Sequence, residues 1–288
     1  GNHKNADREW EENRLDGRKR RVSIPFSVPK KTESYRLREN SCRSRAFVFG
    51  IMAGIAAYLC KSNRIVIPES GQGSLGPSLA PVGFEVADTR AHPKFSRRLA
   101  EFLNYSLEWE IKIEHPQLWK TKGETLKELR NLSLENNWAG TMSCPRKRHM
   151  NLNGRKVHCG ICSSCLLRRQ SLLASDLGGN SEPYIWDKVS DILYSTNSTR
   201  GNNQCSEHAK IGVLSLHQLA CLLDSNQIGE NSIQLESMEL SEILGESFEE
   251  VEEKIHRLIL THKAEWNHFA ESQGFDFSNP TMKSGQRR

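Results

Sequence analysis

The sequence lacks any apolar run long enough to cross a membrane. Its longest one, residues 46–60, is shorter than the roughly 20 residues that a transmembrane helix needs, and basic residues flank both of its ends. We interpret it as a buried helix and expect no membrane partner. A signal peptide is also missing, so we predict a cytoplasmic location. Because the chain begins with Gly1 rather than Met, we expect the true N terminus to lie elsewhere.

Strong charge of one sign and a disulfide-type cysteine pattern are absent as well. The net charge is only +5, which suits phosphate-bearing ligands without demanding nucleic acid. Of the eight cysteines, four are scattered through apolar or helical stretches, and the other four cluster at metal-ligand spacing. This distribution favours a reducing compartment over a secreted disulfide scaffold.

Strand and helix patterns alternate in the first half of the chain. A polar stretch at residues 1–21, which we interpret as a linker or insertion, precedes a predicted strand at 22–28. The patterns then predict a helix at 41–60, a strand at 64–67, helices at 95–107 and 122–132, and a strand between them at 109–113. Such an order is typical of an α/β domain with a parallel sheet, which we assign to residues 22–185.

The second half of the chain is predicted to be mainly helical. Apolar residues at helical spacing predict helices near 168–177, 185–194, 214–223, 235–244 and 248–269. Residues 197–205 are rich in Asn and Ser and are predicted to form an exposed loop. We therefore expect residues 186–288 to form a helical C-terminal extension that packs as an appendage.

The strongest chemical signal is the spacing of four cysteines, Cys144-x14-Cys159-x2-Cys162-x2-Cys165. Zinc suits four thiolates because it accepts tetrahedral sulfur coordination without redox chemistry, so we predict a structural Zn²⁺ site here. The surrounding basic residues would offset the negative charge of four thiolates around Zn²⁺; they are Arg146, Lys147, Arg148, Arg155, Lys156, Arg168 and Arg169.

Other interpretations of the cluster stay open. The C-x2-C-x2-C spacing also occurs in iron-sulfur proteins, although the x3-C-P continuation is missing here. Disulfides or free thiols are a further alternative. A catalytic zinc would need an open position, which His149 or His158 in place of a cysteine would provide.

Several segments together resemble the QueC family, the 7-cyano-7-deazaguanine synthases of the PP-loop ATP pyrophosphatases. The resemblance covers roughly residues 20–185. It rests on Ser143-Cys144 with the downstream cysteines and Arg168-Arg169, and, in family order, on Arg43-Ser44-Arg45, Ile67-Pro68-Glu69-Ser70-Gly71, Thr89-Arg90-Ala91-His92-Pro93 and Lys120-Thr121-Lys122-Gly123-Glu124.

The resemblance implies a Rossmann-like domain, of the adenine nucleotide alpha-hydrolase type, that uses ATP and Mg²⁺ to adenylate the carboxylate of a deazapurine. An amine then attacks the activated carboxylate, and in this family the resulting amide is dehydrated to a nitrile. The implied contacts to ATP or substrate are Arg43, Arg45, Glu69, Gly71, His92 and Lys122, with Lys122 also the candidate catalytic residue. Each has a plainer interpretation as a solvated cation, a helix-entry loop or a buried structural histidine.

The sequence departs from the family pattern in two ways. The phosphate-binding signature Ser-Gly-Gly-x-Asp-Ser is absent, so we expect that unit to lie upstream or in another chain, or else the homologue to be catalytically dead. The chain also continues far beyond Arg169, which resembles the defence-associated QatC-type branch and implies protein partners in an anti-phage complex. A zinc-stapled module that binds nucleic acid or a partner, and a noncatalytic scaffold, stay as alternatives to the ligase.

Overall fold

The computed structural model describes residues 45–81, 89–134, 138, 141–144, 151–152, 155–177, 182–193, 200–224 and 226–274. The predicted linker, the predicted strand at 22–28 and Arg43 lie outside these residues. The helices are α1 (Arg45–Leu59), α2 (Gly71–Ser74), α3 (Gly76–Leu79), α4 (Pro93–Leu107), α5 (Lys122–Asn131), α6 (Ser163–Ala174), α7 (Val189–Leu193), α8 (Arg200–Ala220), α9 (Asn226–Leu244) and α10 (Phe248–Ser272). The strands are β1 (Arg64–Val66), β2 (Lys112–Glu114), β3 (Asn151–Leu152) and β4 (Arg155–Lys156), and a 3-10 turn covers Leu222–Asp224.

β1 and β2 form a parallel pair, as the alternating pattern predicts. Ile65 lies opposite Ile113 in the register, and α4 lies in the crossover between the two strands. The pair is the only parallel sheet within the described ranges, which are mostly helical. The described residues therefore confirm a parallel pairing joined through a helix, and a full Rossmann-like parallel sheet stays a prediction.

α1 packs closely against α4 through two glycines. A Cβ at Gly50 would lie 2.2 Å from Leu99, and one at Gly54 would lie 2.4 Å from Leu103. Leu99 and Leu103 share a buried cluster with Ile111. The interpretation of this apolar run as a buried helix is wrong, because only Gly54 and Ala57 of α1 are buried and the helix packs through one side alone.

Thr121 caps α5. Its hydroxyl accepts from the backbone N–H of Glu124, and the Glu124 carboxylate accepts from the backbone N–H of Thr121. This reciprocal pair satisfies donors that a helix start would otherwise leave unpaired. It also fixes the direction in which Lys122 leaves the loop.

Several predicted boundaries differ from the structure, and two of the differences have a clear physical reason. Residues from Arg200 onward belong to α8 rather than to an exposed loop, because the helix propagates from its buried face at Val213 and Leu216 into the polar start. β2 is shorter than predicted at its beginning. Glu108 adopts a left-handed conformation that ends α4, and the Trp109 indole packs back to donate to the Ser62 carbonyl at 3.0 Å.

The C-terminal helices share their core with the rest of the described chain. Trp266 and Phe269 of α10 are buried in the cluster that contains the four cysteines. Nearer the start of α10, Ile255 and Leu258 pack with Leu75 and Leu118. The domain boundary between residues 185 and 186 stays a prediction. α10, however, packs into a core that it shares with earlier elements of the chain.

The described helices include no candidate membrane span. Within the part of the chain that the structure describes, no helix combines the length and the hydrophobicity needed to cross a bilayer.

Candidate functional site

Four buried cysteine sulfur atoms converge on one point. The Sγ atoms of Cys144, Cys159, Cys162 and Cys165 all lie within 4.8 Å of one another, and the pair Cys159–Cys165 is 3.6 Å apart. A tetrahedral Zn²⁺ with bonds of about 2.3 Å to sulfur needs sulfur atoms about 3.8 Å apart. The cluster therefore has the ligand type, the ligand number and the spacing of a closed tetrathiolate metal site.

The loop that carries three of these cysteines requires a glycine. Gly160 has φ of +86°, and a Cβ there would lie 2.5 Å from the Trp186 carbonyl oxygen. The loop then turns so that the Cys162 backbone N–H donates to the Cys159 sulfur at 3.4 Å, and Cys162 becomes the N-cap of α6. Cys165 follows in the first turn of that helix.

The thiols perturb one another strongly. Hydrogen bonds from Cys159, Cys162 and Cys165 hold the pKa of Cys144 well below its ordinary value. The hydrogen bond with Cys144 in turn raises the pKa of Cys165 far above its ordinary value. One thiol can therefore ionise readily in this group, but all four can do so only with a cation among them.

His158 does not join the four cysteines. Its Nε2 accepts from the Ser143 backbone N–H at 3.1 Å, and its Nδ1 lies 3.2 Å from Glu182. Burial alone would raise the pKa of Glu182, but hydrogen bonds from His158, Arg168 and Tyr184 outweigh it and lower the pKa to about 2. His149, the other predicted alternative ligand, lies outside the described residues.

Arg168 and Arg169, two of the seven basic residues predicted to offset the thiolate charge, have specific partners of their own. Arg168 pairs with Glu182 at 2.9 Å. Arg169 donates to the Gly160 carbonyl at 3.2 Å and to the Gln273 side chain at 2.9 Å, so it ties the cysteine loop to the end of α10. The side chains of Arg146, Lys147, Arg148, Arg155 and Lys156 lie outside the described residues.

A cleft of about 970 Å³ lies beside the cysteine cluster. Lys122 contacts both Glu69 and Gln72, and we call these three residues the charged end of the cleft. Arg45 and Arg90 also line the cleft, and its apolar lining includes Leu126, Leu129, Leu167, Ile211, Leu216 and Leu219. The arrangement combines orienting polar groups with an apolar lining, as ligand sites commonly do.

Lys122 and Glu69 form the exposed ion pair of the charged end. The Lys122 Nζ lies 3.3 Å from Glu69 Oε1, and the two side chains are 39% and 38% exposed. Pairs this exposed are worth at most about 1 kcal/mol, so an incoming anion can replace Glu69 beside the lysine.

Three backbone N–H groups at the start of α5 already have partners. The N–H of Lys122 donates to Gln72 Oε1 at 2.8 Å, and those of Thr121 and Glu124 are used in the capping pair. Lys122 therefore offers its side-chain cation, rather than its backbone N–H, to a ligand in the cleft.

The predicted site residues separate into two groups. Arg45, Glu69 and Lys122 line the same cleft. Gly71 is buried behind it, where a Cβ would lie 2.3 Å from the Leu118 carbonyl oxygen. His92 is also buried away from the cleft lining; its Nδ1 accepts from the Lys94 N–H at 3.0 Å, and its Nε2 pairs with Glu236.

Most of the lining was not among the predicted site residues. Arg90 belongs to a segment that carries the family resemblance and Gln72 directly follows another, but the prediction fell on their neighbours His92 and Gly71. Ile211 and the other α8 residues carried no signal, because their apolar spacing predicts only a packed helix.

Part of the chain, which includes Lys122 and the four clustered cysteines, is similar to a known family. Residues 82–176 match the family model described as queuosine biosynthesis protein QueC. A 7-cyano-7-deazaguanine synthase from Pyrococcus furiosus is 29% identical over 104 residues, which cover 35% of this chain and 42% of that protein. The chain thus matches less than half the length of this curated relative. No solved structure is significantly similar.

Proposed function

We propose that the chain, which is QueC-like over residues 82–176, takes part in the ATP-dependent activation of a 7-deazapurine carboxylate. The position of Lys122 is the main support for this proposal. It lies within this segment and shares a cleft with Arg45 and Glu69, which come before the segment in the chain. The product would be an amide or nitrile, or a conjugate with an amine.

The charged end of the cleft suits the first chemical step. A carboxylate oxygen of the substrate attacks the α-phosphorus of ATP and displaces pyrophosphate, so negative charge accumulates on phosphate oxygens. Lys122 would stabilise that charge after exchanging its weak pairing with Glu69 for the phosphate. Mg²⁺, which the family uses with ATP, would neutralise the remaining phosphate charge.

The second step needs an acyl group with a good leaving group. The amine nitrogen attacks the carbonyl carbon of the acyl adenylate, AMP departs, and the amine loses a proton. Glu69, released from Lys122, would accept hydrogen bonds from the amino and ring N–H groups of the deazapurine. Leu126 and Leu129 would cover the apolar faces of the bound ring.

A structural Zn²⁺ at the four cysteines would support this cleft from behind. Ser163, Ser164 and Leu167 of α6 line the cleft, and the same helix starts at Cys162 and carries Cys165. A metal held by these cysteines would therefore fix the helix that forms one wall. The ion would have a closed coordination shell and no part in the reaction.

The missing Ser-Gly-Gly-x-Asp-Ser loop and the long helical C terminus bear on the biological setting. We propose that the loop comes from an upstream segment or a second chain, and that the protein acts with partners in a defence complex. If instead the nucleotide site is vestigial, the chain is a zinc-stapled scaffold that binds nucleotide without turning it over.

The test is a turnover assay on the zinc-loaded chain, alone and together with a segment that carries the Ser-Gly-Gly-x-Asp-Ser loop. ATP, Mg²⁺ and 7-carboxy-7-deazaguanine are supplied, and AMP, pyrophosphate and modified products are measured by mass spectrometry. We expect AMP release only when both substrates are present. Nucleotide binding without AMP would favour the scaffold, and steeply salt-dependent RNA or DNA binding without nucleotide affinity would favour a nucleic-acid module.

A further inference from the structure

A buried polar network lies directly behind the charged end of the cleft. We call it the α10 network; its members are Gln72, Thr121, Gln170, His262 and Glu265. Gln72 also lines the cleft, so the network reaches from the cleft surface to the interior of α10. Both α10 residues are buried, with 0% exposure for His262 and 9% for Glu265.

The hydrogen bonds of Gln72 have a defined direction. Its Oε1 accepts from the Lys122 backbone N–H at 2.8 Å, so its Nε2 is the group that lies 2.8 Å from His262 Nδ1. His262 Nε2 lies 2.9 Å from the Leu216 carbonyl and must donate to it, which leaves Nδ1 as an acceptor. The Gln72 side chain therefore connects the Lys122 backbone to α10 without ambiguity.

Glu265 makes a second connection to the same loop. Its Oε1 accepts from the Thr121 hydroxyl at 2.6 Å, and its Oε2 lies 3.4 Å from Gln72 Nε2. Gly123 allows this approach, because a Cβ there would lie only 2.3 Å from Glu265 Oε1. The residues on both sides of Lys122 are thus packed against one carboxylate of α10.

From these contacts we propose that α10, which lies outside the QueC-like segment, is a positioning element of the cleft. Glu265 and His262 act through Gln72 and Thr121 to hold Lys122 where it meets the ligand phosphate. This inference rests on the proposed function for the identity of that ligand.

A purely architectural role would not need these groups. A buried carboxylate loses hydration, and apolar side chains would join the helices without that cost. The polar groups instead converge on the loop that carries Lys122, so their geometry determines where one cation lies.

The test compares Glu265→Gln with wild type and with Glu253→Gln, which removes the same charge from an exposed position of α10. The first readout needs no nucleotide. Lysines are labelled with a limiting amine-reactive reagent, and peptide mass spectrometry gives the Lys122 to Lys61 labelling ratio. Lys61 is an exposed internal standard that follows α1. We expect Glu265→Gln to raise the ratio about threefold and Glu253→Gln to leave it unchanged.

The second readout is the affinity for a nonhydrolysable ATP analogue in a double-mutant cycle. We expect Glu265→Gln to weaken binding of the analogue about tenfold when Lys122 is present. In a Lys122→Met background the same substitution should have almost no effect. A general loosening of the fold would weaken binding equally in both backgrounds, and that result, or an unchanged labelling ratio, would overturn the inference.

The two readouts separate this inference from the function it rests on. If the wild-type chain binds no nucleotide, the proposed function fails, and the labelling ratio alone decides whether α10 holds Lys122. If Glu265→Gln does not fold, Glu265→Asp replaces it, because it keeps the charge but withdraws the oxygens from Thr121. The same direction of change is expected in both readouts.

Discussion

The cysteine cluster and the charged end of the cleft differ in how completely their polar groups are satisfied. The four thiols are buried and closed on one another, with room for one ion and no ligand from outside. Lys122 and Glu69 are more than one third exposed and hold each other through a weak ion pair. The cysteine cluster is therefore suited to stabilise the fold, whereas Lys122 can exchange Glu69 for a ligand.

Loss of one thiolate should give the largest effect on stability. We expect Cys165→Ser to reduce bound zinc from one equivalent to almost none and to lower the unfolding free energy by several kcal/mol, because metal binding is linked to folding. Cys60→Ser, at an exposed free cysteine, is the control. Elemental analysis and denaturant unfolding provide the measurements, and full zinc content with unchanged stability would contradict the closed site.

Removal of the Lys122 charge should damage activity rather than stability. We expect Lys122→Met to lower AMP formation about a hundredfold, because a developing phosphate charge loses its cation. The unfolding free energy should change by less than about 0.5 kcal/mol, since the ion pair is exposed. Lys127→Met on the same helix controls for charge. If Lys122→Met unfolds much more readily than wild type, Lys122 has a structural role instead.

Two neighbouring glycines allow a matched test of fold against site. A Cβ at Gly71 would meet the Leu118 backbone oxygen at 2.3 Å, so Gly71→Ala should lower the unfolding free energy by about 2 kcal/mol. The atoms nearest to a Cβ at Gly73 would belong to the partly exposed Glu69 side chain, with Oε1 at 2.7 Å. We expect Gly73→Ala to cost less than about 1 kcal/mol and to disturb ligand affinity by displacing Glu69. Equal stabilities in urea unfolding would refute this distinction.

Protonation of His262 should give the smallest effect. Burial lowers its pKa from 6.5 to about 4, so the folded protein binds fewer protons than the unfolded chain between those values. Stability is therefore present above pH 6.5 and is lost as the pH falls toward 4.

The pH test uses the difference between wild type and His262→Gln. Glu265, whose pKa burial raises to about 6, acts in the opposite direction and is present in both proteins. We expect wild type to lose about 1 kcal/mol more than the variant between about pH 7.5 and 5.5. His268→Gln, at an exposed position of α10, should retain the wild-type dependence, and parallel curves for all three proteins would contradict the buried neutral histidine.

Local patterns predicted much of the secondary structure. The helix periods at 95–107 and 122–132 and the N-cap at Thr121 are visible in the sequence because they depend on neighbours three or four residues away. The resemblance to the QueC family likewise rested on short segments in order, and the match over residues 82–176 confirms it. Long-range contacts left no comparable pattern, which is why α10 was predicted as an appendage.

The sequence by itself determined the four metal-type ligands and the parallel order of β1 and β2, since ligand spacing and hydrophobic period are properties of consecutive residues. Only the tertiary structure decided that Gln72, rather than Gly71, reaches the cleft, and that His92 pairs with Glu236 from a helix 144 residues away. It also decided that Glu265 supports the loop of Lys122. The physical reason is that burial and hydrogen-bond direction depend on which distant elements pack together, and no local residue spacing encodes that choice.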